Sequence, residues 1–310
     1  MNSDYYAFLV QQECKNGFVG IDYNNIDAVT ACYHALVANG HKEDKEGGNA
    51  LHNEWTKKRM QVDLGQLPDF LKPPLIDLGQ LPFGSFWLQF TFKLLKPYIS
   101  KDDNPFYIID NPIVRDKVFR LPMVRPTSWK GSLYSALRQQ GHDKQQDEQM
   151  HRLFGDIRSE DRGQAGRLFF YPTFFTQTSL EIINPHDRER RIGKNPILFE
   201  SIPANAEGTF SLLYVPFDLI GKAENEIRRQ IFADLQLVTA GLEALFTVYG
   251  FGAKTSSGFG LAFSQLPQNG GLKVNYPSAT EPIIEDFNTL TLLKRKADAL
   301  ERVTSKEQTP

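Results

Sequence analysis

A chain of 310 residues, 41% hydrophobic and 23% charged, has the composition of a folded globular protein and room for one large domain or two small ones. Its formal charge of −2 excludes a globally basic nucleic-acid binder, so any such site must be a local stripe. The two cysteines, Cys14 and Cys32, supply neither a disulfide framework nor zinc spacing; with no signal-like start and no bilayer-length apolar run, a reducing, cytoplasmic, membrane-free setting is expected.

Taken in order, Ile26 to Ala38 reads as a short helix with Val29, Tyr33 and Leu36 on one face, followed by a polar loop through Gly47-Gly48. Leu64-Gly65-Gln66-Leu67-Pro68 recurs as Leu78-Gly79-Gln80-Leu81-Pro82, two copies that suit paired turns and are too few for a solenoid. Leu88, Phe90, Phe92 and Leu94 alternate with Gln89, Thr91 and Lys93, the period of a half-buried strand. Prolines 105, 112 and 122 break the next stretch, and Thr127-Ser128 then offers an N-cap to a helix with Trp129, Leu133, Ala136 and Leu137 on its apolar face.

Gly166 to Thr173 and Thr209 to Val215 are expected as strands, with an irregular charged segment over 180–207 between them. The longest predicted helix, Glu224 to Val248, carries Ile227, Ile231, Leu235, Val238, Leu242 and Leu245 at steps of three and four. A glycine-rich loop, Gly250 to Gly260, leads to a last expected strand near Leu261–Ser264. Strand, helix, strand, strand, helix, strand is the α+β, ferredoxin-like order, predicting both helices on one face of an antiparallel sheet and the other face open. The expected division is an extension over 1–82, the βαββαβ domain over 83–266 and a tail over 267–310.

Four stretches could carry chemistry. The glycine loop presents Gly252, Lys254, Thr255, Ser256 and Gly258, a cation and hydroxyls on a backbone without Cβ obstruction, suited to phosphate or to nothing more than a bend. Ala253 stands where a Walker motif needs glycine, which argues against a P-loop. The helix start collects Thr127, Ser128 and Lys130 at the positive end of a dipole, an anion site or plain capping. Asp110, Arg115 and Asp116 sit on a loop, as catalytic groups with Arg115 a candidate RNA contact, or as an Asx turn before Pro112 with a surface Arg115–Asp116 arrangement. Arg188, Arg190, Arg191 and Lys194 could grip a phosphate backbone or line a solvated hairpin. The six histidines form no metal-binding pattern, so an enzymatic group is more readily sought among carboxylates.

Taken together these stretches resemble the RAMP proteins of CRISPR effector complexes, and among them the repeating backbone subunits of type III complexes. Ile109-Asp110-Asn111-Pro112-Ile113-Val114-Arg115-Asp116 resembles the family's aspartate loop, and Leu121 to Leu133 its helix start. Leu153-Phe154-Gly155 with Gly166 to Phe170 is similar to its helix turn and second strand, and Gly250 to Gly260 to its glycine signature. The helix start departs from the family in Thr127 and Trp129, and residues 1–80 have no counterpart in a minimal subunit.

The resemblance implies that Ser128, Lys130 and Lys254 hold guide RNA, that 180–207 is a thumb hairpin, and that Asp110 is the target-RNA cleavage residue and a ligand for Mg²⁺ or another divalent cation. The implied partners are a CRISPR guide RNA, target RNA, other RAMP subunits and the large subunit of the complex. A non-cleaving structural subunit and a stand-alone endoribonuclease processing CRISPR transcripts are the alternatives.

Overall fold

The computed structural model describes residues 22–23, 25–102, 107–142, 147–155, 163–183, 197–276 and 282–306. In chain order its elements are α1 (Ile26–Ala38), α2 (Gly48–Lys58), β1 (Gln61–Asp63), β2 (Phe86–Lys93), β3 (Met123–Val124), α3 (Pro126–Gln139) and α4 (Glu148–Phe154). There follow β4 (Leu168–Phe170), β5 (Thr173–Phe174), β6 (Gln177–Ile183), β7 (Ile197–Ser201) and β8 (Glu207–Tyr214). The chain closes with α5 (Glu224–Ala244), β9 (Gln265–Val274), β10 (Ile283–Thr289) and α6 (Leu290–Lys306). These fall into two compact units: one from described residues within 1–65, 99–115 and 176–203, the other from 66–98, 116–175 and 204–310.

The larger unit is built on a five-stranded sheet in the order β10-β9-β2-β8-β4, every neighbouring pair antiparallel. Counting β2, β4, β8 and β9 as first to fourth, the order is fourth, first, third, second, compatible with the expected βαββαβ arrangement. The fourth strand does not lie at Leu261–Ser264: there only Ala262 bridges Leu94, and the ladder proper begins at Gln265. The stretch expected as a tail with one amphipathic segment over Phe287–Leu300 supplies the helix α6 on that segment and two strands before it. Its strands carry Gln, Asn and Gly among the apolar residues, which blurs the alternation that sequence reading depends on.

One sheet face is packed with rings. Phe90, Phe92 and Phe210 meet Trp129 of α3 and Phe246 beyond α5, all essentially buried. Gly241 of α5 lets α3 approach closely: a Cβ would come within 2.7 Å of a Leu137 methyl and 2.8 Å of a Leu133 methyl, and both side chains would have to shift. The opposite face is not left open. Trp87 and Leu213 are covered by Ile76, Leu78 and Leu81, so the second Leu-Gly-Gln-Leu-Pro copy is a lid on the sheet, pinned by Asn275 Nδ2 donating to the carbonyls of Leu78 and Leu81.

Segment Glu224–Tyr249, against the expectation of no such run, is long and apolar enough to cross a membrane; 67% of its apolar window is buried inside the fold, as in a core helix. Its last turn, Leu245–Tyr249, widens into a π-turn before the glycine loop.

The smaller unit carries the three-stranded sheet β1-β6-β7 and a cluster in which Val29, Cys32, Leu51 and Trp55 of α1 and α2 pack on Ile108, Ile109 and Leu180. Helix α2 was not foreseen, because it begins at Gly47-Gly48, which sequence reading takes for loop; β6 and β7 pair antiparallel, compatible with the hairpin expected over 180–207. Gly47 is needed because a Cβ would strike the His41 carbonyl at 2.0 Å. Cys32 is disulfide-bonded, which the expectation of no disulfide framework did not foresee, because a count of two thiols does not say whether they meet. Its partner lies outside the described residues.

Candidate functional site

The Asp110 loop belongs to the smaller unit. Ile108 and Ile109 are buried anchors, and Asp110, the next residue, is exposed. Beyond it the chain is tied to β7: Glu200 N donates to the Asn111 carbonyl (3.0 Å), and Ile113 N donates to Glu200 Oε2 (3.1 Å). Arg115 sends both terminal nitrogens to the Glu200 carboxylate, at 2.5 and 2.7 Å, and the Tyr107 hydroxyl donates to the same group. Burial disfavours the charged guanidinium, but the adjacent Glu200 carboxylate outweighs it and raises the Arg115 pKa. Arg115, a candidate RNA contact by sequence, is thus occupied internally, and its work is to hold the loop's shape.

Sequence reading placed no histidine near Asp110. The fold brings His52 of α2 into its field: burial lowers the imidazole pKa below 6.5, while Asn53 and the Asp110 charge pull it back up. Tyr107, Glu200 and His52 carry no local pattern that could have marked them. Among the described residues no group of three or more His, Cys, Asp or Glu side chains could hold a metal ion. A Mg²⁺ ion commonly keeps its waters and binds one or two carboxylates plus substrate phosphates, and Asp110 is a donor of that kind.

The helix start and the glycine loop lie together in the larger unit. Helix α3 begins one residue earlier than its hydroxyls suggest: Arg125 is the N-cap, with no side-chain capping bond, and Pro126 fills the first helical position. Thr127 and Ser128 are therefore not caps but exposed first-turn residues, their hydroxyls not spent on capping this helix. Trp129 points inward, its ring 4.6 Å from Phe251 of the glycine loop and its Nε1 donating to Thr173 Oγ1 (3.1 Å). Phe251 also packs against Tyr98, tilted, and against Phe92, edge-on. One aromatic cluster thus fixes both candidate anion-binding segments.

The glycine loop is a closed neck with an exposed tip. Phe251 N donates to the Gly260 carbonyl (3.2 Å) and Gly260 N to the Pro97 carbonyl (2.8 Å). A Cβ on Gly260 would meet the Phe251 carbonyl oxygen at 2.0 Å, and its φ is +74°. At the tip Lys254 is left-handed (φ +56°) and opens a 3₁₀ turn over Thr255–Ser257. Gly252, Lys254 and Ser256 are exposed, with Thr255 and Gly258 half-buried. Several amides are spent inside the loop, Phe251 and Gly260 in the neck and Ser257 and Gly258 in the tip turn, so it offers fewer donors to an anion than an open glycine-rich cradle. Arg188, Arg190 and Arg191 lie outside the described residues; the strands flanking them, β6 and β7, pair antiparallel from Ser179–Ser201 to Ile183–Ile197.

A family model for the RAMP superfamily matches residues 44–264. The chain belongs to the RAMP superfamily. It is similar to the CRISPR system Cms endoribonuclease Csm3 of Mycobacterium tuberculosis, 32% identical over 183 residues, covering 51% of this chain and 76% of that protein. The protein of the same name from Streptococcus thermophilus is 25% identical over 177 residues, with the same coverage. In fold, this RAMP chain is similar to a chain of the type III-B Cmr-beta complex bound to cognate target RNA. There the TM-score is 0.52 at 14% identity, covering 91% of this chain and 98% of the other.

Proposed function

We propose that this RAMP chain is a guide-RNA-binding backbone subunit of a type III CRISPR effector complex, acting in the cytoplasm, and that it cuts bound target RNA at Asp110. The observation that carries the reading is the loop geometry: buried Ile108 and Ile109 and the Arg115–Glu200 pair present an exposed carboxylate on a fixed backbone. The similarity to proteins named Csm3 endoribonuclease supports it.

In this reading Ser128, Lys130 and Lys254 hold the guide backbone, and base pairing reads sequence. Asp110 polarises a ribose 2′-hydroxyl, whose oxygen attacks the adjacent phosphorus in line. The 2′-hydroxyl proton passes to the Asp110 carboxylate, the P–O5′ bond breaks, and the departing 5′-oxygen takes a proton from water, leaving a cyclic 2′,3′-phosphate and a 5′-hydroxyl. A divalent cation such as Mg²⁺, held by Asp110 together with RNA oxygens and water, would supply charge neutralisation at the phosphate. The partners are guide RNA, target RNA, further RAMP subunits and the large subunit.

The test is target cleavage by the assembled complex with Mg²⁺, wild type against Asp110→Ala. Cuts disappear while target binding persists. An unchanged cut pattern would instead identify a non-cleaving structural subunit, and activity of the isolated chain on CRISPR transcripts a stand-alone endoribonuclease.

A further inference from the structure

The first Leu-Gly-Gln-Leu-Pro copy, unlike the second, covers nothing comparable: its Leu64 is exposed, and the turn that follows carries Phe70 out into solvent. That turn, Asp69–Leu71, is closed by Leu71 N donating to the Pro68 carbonyl (3.0 Å) and Lys72 N to the Asp69 carbonyl (3.1 Å). A second rigid turn approaches it from residues 116–121. The Asp116 carboxylate accepts from the amides of Val118 and Phe119, both at 2.8 Å, Asp116 N donates to the Leu121 carbonyl, and Arg120 takes a left-handed φ of +58°. The two turns hold the rings of Phe70 and Phe119 with centroids 5.0 Å apart and planes inclined at 53°. Phe70 is 69% exposed, Phe119 46% and Val118 78%.

Leaving two touching rings in water forgoes the burial that the fold obtains from the rings of its aromatic core, such as Phe90, Phe92, Phe210 and Phe246. The charges around the pair sum to a positive balance, with Asp69 and Asp116 set against Lys72, Lys117 and Arg120. Asp69 is neutralised by Lys72 Nζ at 2.6 Å, and Asp116 spends its carboxylate on its own turn. Lys117 and Arg120 are exposed beside Phe119, and Arg125 follows after β3. Aromatic faces set among cations, with the nearby acids already engaged, suit unpaired nucleobases on an anionic backbone better than the charge-depleted centre of a protein interface. From Phe119 to Pro126 at the start of α3 is seven residues, so the pair lies within about 25 Å of the helix start.

We propose that Phe70 and Phe119 form a base-stacking platform for single-stranded RNA, fed by Lys117 and Arg120. It is a binding site apart from the glycine loop and the helix start. The proposal rests on the RNA-binding reading above and adds to it where an unpaired base is seated.

The experiment uses the assembled complex with 4-thiouridine placed at successive positions of the guide RNA and, in separate samples, of the target RNA, irradiated and mapped by peptide mass spectrometry. Crosslinks to the peptides bearing Phe70 or Phe119 are expected. Phe70→Ala with Phe119→Ala should weaken RNA binding about tenfold, whereas Phe70→Trp with Phe119→Trp restores it, since every ring offers a stacking face. Crosslinks confined to the helix start and glycine loop overturn the platform and leave RNA binding by this chain intact. No crosslink to this chain at all overturns both. Failure of the alanine pair to assemble, with no wild-type crosslink at either phenylalanine, overturns the platform in favour of a subunit interface.

Discussion

Each compact unit contains a buried arginine, a buried carboxylate and a tyrosine hydroxyl aimed at that carboxylate, yet the two clusters do different work. In the larger unit Asp234, with no exposure, accepts from Arg152 of α4, from Arg167 before β4 and from Tyr214 of β8 (2.7 Å). Arg167 also pairs with Asp218 and donates to Gln230 Oε1 (2.8 Å). Burial opposes the Arg167 charge, but its anionic and hydroxyl neighbours raise its pKa overall. That cluster fastens helices to a sheet. In the smaller unit Glu200 gathers Arg115, Tyr107 and one backbone amide, and every donor comes from the loop that bears Asp110. Similar chemistry stabilises a scaffold in one place and shapes a site in the other.

The comparison is tested most severely by Asp234→Ala. Two arginines and a tyrosine would lose their shared acceptor in a dry interior, a loss of about 3–5 kcal/mol read from the denaturant midpoint at unchanged slope. A loss below about 1 kcal/mol would show that this cluster is not structural.

Glu200→Gln keeps the volume and removes the charge. It should cost about 2–3 kcal/mol, since hydrogen bonds to a charged group are given up. Target cutting should fall with it while RNA affinity holds, because the Asp110 loop is loosened and the α3 start is untouched. Equal losses of cutting and affinity would contradict the division of labour.

Asp147 caps α4, accepting from the amides of Gln149 (2.8 Å) and Met150 (3.4 Å), and so positions Arg152 for Asp234. Asp147→Ala should cost about 1 kcal/mol. Burial tends to raise the Asp147 pKa, but His142 and the two amides outweigh it and bring it below 3.8. The wild-type contribution is therefore complete above pH 3.8 and is lost as pH falls through the lower folded value; the variant should lack that part of the acid transition.

Asp110→Asn should change stability least, within about 0.5 kcal/mol, as for an exposed side chain. It should also lower the His52 pKa further, because the anion favouring the imidazolium is gone; His52 ring chemical shifts against pH report it. An unmoved titration would mean that α2 and the Asp110 loop are not coupled.

Much of the larger unit was legible. The alternation through Phe86–Lys93 and the three-and-four spacing through Glu224–Ala244 report burial directly, and they gave strand and helix where both occur. Asp110, Ser128 and Lys254 stood out because loop carboxylates, helix-start hydroxyls and glycine-flanked lysines are local patterns. Gln265–Thr289 failed as sheet because its polar and glycine residues interrupt the period. Helix α2 failed because Leu51 and Trp55 make only one four-residue step, too short a stripe to read as periodic, and glycines precede it.

The sequence by itself determined which segments hide an apolar face, where the backbone must turn, and which residues could bear chemistry, since these depend on neighbours within a few positions. Tertiary structure alone decided that Arg115 serves Glu200, that His52 feels Asp110, that Trp129 and Phe251 bind helix start to glycine loop, and that Phe70 meets Phe119. Each of these is an approach between residues far apart in sequence. Such approaches follow from how whole elements pack, and nothing in the local pattern around either partner records them.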